Sequence, residues 1–394
     1  AFAYTGMRQA EAAGAYSIGE ITYNADYVSY EQWKGAIPGL QYQAVGGAGE
    51  LYRGMVELSG NRYLEMNASP VSPSYYSVKS GETVVLNLHG HSILFQQTRN
   101  AITVEEGGTL ILVDDMGGAD GIEQRCGVIE VYPDGSDLNR DYDALTVKGN
   151  FAMLGGAVWS KTTTVRVCSG GVFNFNGGVL AKSNKSDFRS GGAVIGGESG
   201  GRLNLHGGMV VSAGPLDSGD FSKLTVRLAA DRVYYGDQKA SATLSDAVKQ
   251  SGTVIFGSKT ANLFFGTTPG ASAGYGDSYT LECSAGEELQ LDFRYVGEGG
   301  RALQNPLYYV LGLAGCKVKT TYAVKTSSIS HIPTQGETEA DHVSFPALSA
   351  GSATVSVAHS IVGDGGTIRL SRAQTIKINV QAKKIVQARG TMQG

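Results

Sequence analysis

Cysteine and charge are both scarce in this chain of 394 residues. Four Cys are too few for a dense disulfide framework, and no C-x-x-C occurs, which excludes a zinc ribbon. Charged residues make up 17%, against roughly 25% in ordinary globular domains. With a formal net charge of -4, the chain carries no electrostatic footprint for nucleic acid. No apolar run approaches the roughly 18 residues of a membrane-spanning helix. Proline occurs 9 times without a G-X-Y period, which excludes a collagen-like chain.

Glycine is what the chain has in excess, at 56 residues, about twice average usage. The 20 Tyr and the many Val and Thr favour strands. Four stretches read as variants of one strand. They are Leu86-Asn87-Leu88-His89-Gly90, Phe151-Ala152-Met153-Leu154-Gly155-Gly156, Phe173-Asn174-Phe175-Asn176-Gly177-Gly178 and Leu203-Asn204-Leu205-His206-Gly207-Gly208. Phe151, Phe173 and Leu203 are 22 and 30 positions apart, the spacing of a coil that returns to the same face once per turn. The alternation points the Leu and Phe residues inward, and the Gly residues turn the corners. Leu86 and Leu110, 24 positions apart, read as one further turn.

This pattern predicts an all-β chain: a right-handed parallel β-helix followed by β-sandwich modules. Residues 1–78 lack the repeat and read as an N-terminal cap or assembly segment, with a short helix from Met7 to Ala15 and strands from Ile18 to Tyr30. The β-helix spans 79–216. A sandwich module follows at 217–330, and 331–394 forms a second module or completes the first. The four cysteines either pair within their regions, Cys126 with Cys168 and Cys283 with Cys316, or remain buried thiols. The chain begins Ala1-Phe2-Ala3 rather than Met, consistent with a secreted protein whose leader has been removed, and equally with a chain cut elsewhere.

Val84 to Ile93, Ile102 to Asp114 and Gly191 to Val211 resemble the β-helix repeats of surface proteins from gut Firmicutes and related bacteria, which run LNGHTI, ITVEEGGTLTL and INGGTV. Val233 to Asp237, Tyr275 to Leu281 and Ala350 to Val357 look like the bacterial Ig-like modules of the same proteins. The resemblance implies an extracellular, mostly non-enzymatic protein whose motifs are structural. Such proteins often end in an anchor tail. This chain ends in Lys383-Lys384-Ile385-Val386 and a polar stretch, which points either to a fragment or to retention by assembly, with residues 1–30 donating a strand to a neighbour.

Enzymatic chemistry has few candidates. β-Helix glycan hydrolases use grouped Asp carboxylates beside a Gly-His-Gly and a basic residue. Asp114-Asp115 and Gly90-His91 offer the residue types in the wrong order and spacing, so they read as turn and corner residues. His89 and His206 follow Asn87 and Asn204 by two positions and share their outward face, but 117 residues separate them, which opposes a joint metal site. Asn87, Asn174 and Asn204 recur as a candidate amide ladder. The acidic run Asp134 to Asp143 partly resembles a Ca²⁺ loop but lacks the terminal Glu, and reads as a solvated loop. Asn67-Ala68-Ser69 and Asn184-Lys185-Ser186 fit the glycosylation pattern.

The sequence therefore predicts no catalytic, cofactor-binding or metal-binding residue and no cofactor. The expected function is that of an extracellular structural or adhesive protein that self-associates into an oligomer or filament, with a glycan or host surface as ligand, no nucleic acid and no membrane span. The competing readings are a glycan-binding or polysaccharide-degrading β-helix protein and a phage receptor-binding spike.

Overall fold

The computed structural model describes residues 15–72, 74–96, 100–115, 127–132, 142–182, 194–212, 220–228, 232–235, 238–240, 252–257, 264–266, 279–292, 294–296, 302–303, 317–330, 332–339, 342–345, 348–363, 366–369 and 374–383. Between Arg62 and Gly197 the chain visits three sheets in the same order, turn after turn. The first sheet stacks Gln41–Val45, Arg62–Met66, Thr83–Asn87, Thr109–Val113, Asn150–Met153, Val172–Phe175, Arg202–Leu205 and Thr225–Leu228, every neighbour parallel. The second takes Val71–Ser72, Ser92–Gln96, Val128–Tyr132, Ala157–Ser160, Val179–Lys182 and Met209–Ser212 in parallel. It then continues antiparallel through Gly252–Gly257. The third takes Tyr76–Val78, Ile102–Val104, Asp143–Val147, Thr163–Val167 and Ile195–Gly197. The chain is all-β in character, as its composition and alternation predict.

Parallel pairing places equivalent positions one above another at about 4.8 Å, so like side chains form ladders. Leu86, Leu112, Met153, Phe175 and Leu205 are paired in succession on the first sheet. They share one buried cluster with Ile93, Ile129 and Leu180 of the second sheet and Val104, Val147 and Val167 of the third. Phe151 stacks on Phe173 at 4.7 Å between ring centroids. Phe151, Phe173 and Leu203 are in register, as their spacing predicts. Leu51 and Met55, from the helix Ala48–Tyr52 and the π-turn Arg53–Glu57, enter this cluster beside Val45 and Leu64. Phe221 and Leu224 enter it from the other end of the stack.

The register corrects the first repeat. Leu86 pairs with Leu112 rather than Leu110, and it is level with Leu205 rather than Leu203. The strand holding Asn87 is therefore two residues out of step with the other copies. A two-residue slip leaves every side chain on its original face, so alternation alone cannot detect it. Parallel pairing also begins at Gln41, upstream of the expected boundary at 79, because the strands at Gln41–Val45 and Arg62–Met66 lack the Gly-Gly corner that marks later turns. Thr225–Leu228 and Gly252–Gly257 carry the first two sheets past the boundary at 216.

Residues 16–40 lie across the outside of the first sheet as a strap. Tyr16–Ile18 and Ile21–Tyr23 form an antiparallel hairpin, and Tyr30–Ala36 is a helix started by a reciprocal Ser29–Gln32 capping box. Ile18, Tyr23, Trp33 and Ile37 bury themselves against outward-facing Tyr63, Val85, Ile111 and Ala152, forming a second apolar cluster. Most of the predicted helix, Met7 to Ala15, lies outside the described residues.

A separate sheet joins Tyr279–Ser284, Gln374–Gln381, Gly351–Gly363, Lys317–Ser327 and Gln335–Thr338, mostly antiparallel. It shares an apolar cluster with the two-stranded sheet Leu289–Asp292 and His342–Phe345. Strands from both sides of residue 330 lie in this one sheet. Cys168 and Cys283 are free thiols, and burial raises the pKa of each. Cys126, Cys316 and most of Asp134 to Asp143 lie outside the described residues. Asp143 itself is buried, and both of its carboxylate oxygens lie 3.0 Å from Arg166 Nε.

Candidate functional site

The corner between the first and second sheets is where the turns differ. At Leu154-Gly155-Gly156, Asn176-Gly177-Gly178 and His206-Gly207-Gly208 the chain turns in three residues, and the last Gly of each has a positive φ, between 76° and 96°. Measured from the level of Leu86, the corner leading to Ser92 is two residues longer. His89, with φ 48°, stands where those corners have glycine. A left-handed conformation costs a non-glycine residue roughly 1–2 kcal/mol, so surrounding contacts hold it there.

Those contacts come from successive strands of the first sheet. Asn87 accepts hydrogen bonds at Oδ1 from the backbone N–H groups of His89 at 3.0 Å and Asp115 at 3.2 Å. Its Nδ2 donates to Asp115 Oδ2 and to Tyr63 Oη, each at 2.9 Å. The His89 ring Nδ1 lies 2.6 Å from Asp115 Oδ1. Tyr42 donates to Glu65 Oε1 at 3.0 Å, and Tyr63 donates to Val28 O of the strap at 2.7 Å. Burial pushes the Tyr63 hydroxyl far above its ordinary range, and burial followed by the Glu65 hydrogen bond raises that of Tyr42. Both phenols therefore act as donors at neutral pH.

Glu65, His89 and Asp115, all half-buried, each bring one ligand atom within 4.8 Å of the others. This mixed nitrogen and oxygen set suits a borderline or hard divalent ion. It is poorly arranged for glycoside hydrolysis, which needs two carboxylates free to act across a bond. Both Asp115 oxygens and one Glu65 oxygen already face protein groups. Asp114 is buried and accepts from the Gly90 and Gly127 N–H groups at 2.8 and 2.5 Å, which fastens the corner. His91 sits beside Ser69, Nδ1 to Oγ 3.4 Å.

No protein-family model, no curated protein and no solved structure matches this chain. Its reading therefore rests on its own geometry.

His89 and His206, whose separation in the sequence opposes a joint metal site, are not brought together. Their strands are four steps apart in the first sheet, about 19 Å at the inter-strand spacing. The amide ladder holds only in part: Asn204 Nδ2 donates to Asn174 Oδ1 at 2.7 Å, whereas Asn87 pairs with Val113 and Glu65. Asn174 and Asn176 instead anchor the strap, through Asn174 Nδ2 to Ser17 O at 2.7 Å and Tyr23 Oη to Asn176 Oδ1 at 2.7 Å. Past the strap's end, the same outer face carries an open groove of about 270 Å³ between Ser17 and Gly19 on one side and Asn150, Arg202, Asn204 and Arg227 on the other. Asn67 is exposed, and Asn184 lies outside the described residues.

Sequence reasoning missed Glu65, Tyr42 and Tyr63. They precede the visible repeat, and only the sheet's register brings them beside His89. The replacement of glycine at His89 shows only once the register is known, because in the sequence His89 aligns with His206 of the last copy.

Proposed function

We propose that this chain is a non-catalytic extracellular structural or adhesive surface protein of the bacterial β-helix type. In this reading the three parallel sheets form a right-handed β-helix, the usual hand of parallel crossovers, and the later sheets form an Ig-like sandwich module. One observation carries the reading: side chains recur in register on stacked strands, with apolar residues filling both ends of the interior. The chain's variety is thus spent on stacking, which makes a stiff support with a long outer face.

The strap supports self-association. It is held on the sheet's face by side chains and a few hydrogen bonds, and its hairpin is a separate two-stranded sheet. An equivalent segment from a second copy could occupy the same face by domain exchange. Sedimentation, together with crosslinking of mixed ¹⁴N- and ¹⁵N-labelled full-length chains, tests this. Exposed Lys34 of the strap should give intermolecular crosslinks, and the assembly should grow with concentration. A monomer at every concentration overturns the assembly reading. Cleavage of any polysaccharide in a panel, abolished by Asp115→Asn, overturns the non-catalytic reading.

A further inference from the structure

The outer face of the first sheet changes character along the stack. Beneath the strap it is apolar, at Val85, Ile111 and Ala152. Beyond the strap's hairpin it becomes polar, with Arg202, Asn204, Thr225 and Arg227 on the last two strands. Arg202 pairs with Thr225, and Asn204 with Arg227. The two guanidinium groups therefore start from diagonal positions on one face of adjacent strands, about 8 Å apart at the Cα atoms.

These arginines differ from Arg62 and Arg166, which pair with Glu82 at 3.0 Å and with Asp143 at 3.0 Å. Among the described residues neither Arg202 nor Arg227 forms an ion pair, and the groove lining contains no carboxylate. Two like charges on neighbouring strands repel, in a protein whose net charge is -4. An anion lying between them would reverse that repulsion, and a planar guanidinium binds carboxylate or sulfate through paired hydrogen bonds.

The rest of the lining narrows the ligand. Asn204 uses an Nδ2 hydrogen on Asn174, and its Oδ1 is a further acceptor for a hydroxyl. Asn150, Ser17 and Thr225 add further amide and hydroxyl groups. The lining contains no aromatic side chain, so recognition there would proceed through charge and hydrogen bonds. A volume of about 270 Å³ falls just under the ~300 Å³ lower bound of typical ligand pockets, room for about one sugar ring.

We propose that this groove binds a single acidic sugar residue of a polysaccharide, its carboxylate or sulfate held by Arg202 and Arg227 and its hydroxyls by Asn150, Asn204 and Thr225. This deepens the adhesive reading above by naming the class of surface that is held. It is independent of assembly through the strap.

Full-length protein is titrated with polygalacturonate, dextran sulfate, neutral dextran and poly-glutamate at 0.15 M NaCl. Binding to an acidic polysaccharide is expected, and the tighter of the two polymers identifies the anion. The double variant Arg202→Gln/Arg227→Gln should bind at least tenfold more weakly with unchanged melting temperature. Arg53→Gln, an exposed arginine elsewhere on the surface, should bind as the parent does. Equal loss in the Arg53 variant overturns the proposal, since it would report net charge alone. Binding to poly-glutamate or neutral dextran as tight as to the acidic polysaccharides overturns it as well, and so does no binding to any polymer. A monomer that binds acidic glycan leaves this inference standing and removes assembly alone. A filament that binds none removes this inference alone.

Discussion

His206 shows how one side chain acquires a pH dependence from its place in the stack. It follows Leu205 on the outer side of the first sheet, its N–H donates to Phe175 O at 2.8 Å, and its ring lies 4.4 Å from Tyr16 of the strap. Burial pushes its pKa down to about 4. An unfolded chain protonates the same imidazole near ~6.5, so between these values the unfolded state binds more protons. Stability contributed by neutral His206 is therefore complete above about pH 6.5 and is lost as the pH falls toward 4. The loss is on the order of 1–3 kcal/mol, at the lower end because the residue is only half-buried. Melting temperatures of the parent and His206→Gln, compared from pH 7 to pH 4, should converge or cross as the pH drops. A constant difference would show that burial of the imidazole is not coupled to folding. His89 is a contrasting case, an imidazole held by specific partners in a backbone conformation that glycine occupies at the aligned corners.

At the scale of the element, the strap is the part with its own local logic. The Ser29–Gln32 capping box starts its helix, with Gln32 Oε1 accepting from the Ser29 N–H at 2.9 Å. A helix of 7 residues is too short to persist in water alone, so its stability comes from packing. Trp33 is fully buried, and its ring lies 5.7 Å from Tyr23 and 5.5 Å from Tyr27. Trp33→Ala should weaken the strap's docking by about 3–5 kcal/mol. Early proteolytic cutting between residues 24 and 48 is then expected, while cutting within the parallel sheets stays slow. If both regions became sensitive together, the strap and the sheets would be one cooperative unit. The hairpin and helix were only partly legible beforehand. Scattered Tyr and Gly marked strands, but a 7-residue helix shows too little periodicity to stand out.

For the whole molecule, contacts between neighbouring turns dominate, as in other stacked architectures. Interior strands such as Thr109–Val113, Asn150–Met153 and Val172–Phe175 have partners on both sides, whereas Gln41–Val45 and Thr225–Leu228 end the first sheet. Amide hydrogen exchange should be slowest in the interior strands and rise toward both ends. Uniform protection from Gln41 to Leu228 would instead indicate a single all-or-none unit. The later sheet has its own apolar cluster around Val355, Val357, Ile376 and Ile378, with no residue in common with the interior of the stack. Its exchange should follow a separate profile.

Alternation and glycine corners were enough to determine that this chain is strand-rich, that Phe151, Phe173 and Leu203 lie one above another, and which face of each strand is interior. Those properties are local, set by the two-residue period of the strand and by glycine's tolerance of positive φ. Tertiary structure decided the rest. It set the level of Leu86 against Leu205, because a slip of two residues leaves the alternation unchanged. It placed residues 16–40 on the sheet's outer face, because burial of Trp33 depends on apolar residues as distant as Ile111 and Ala152. It gathered Glu65, His89 and Asp115 in one corner and set Arg202 beside Arg227, since residues from separate turns become neighbours only once the coil closes its register.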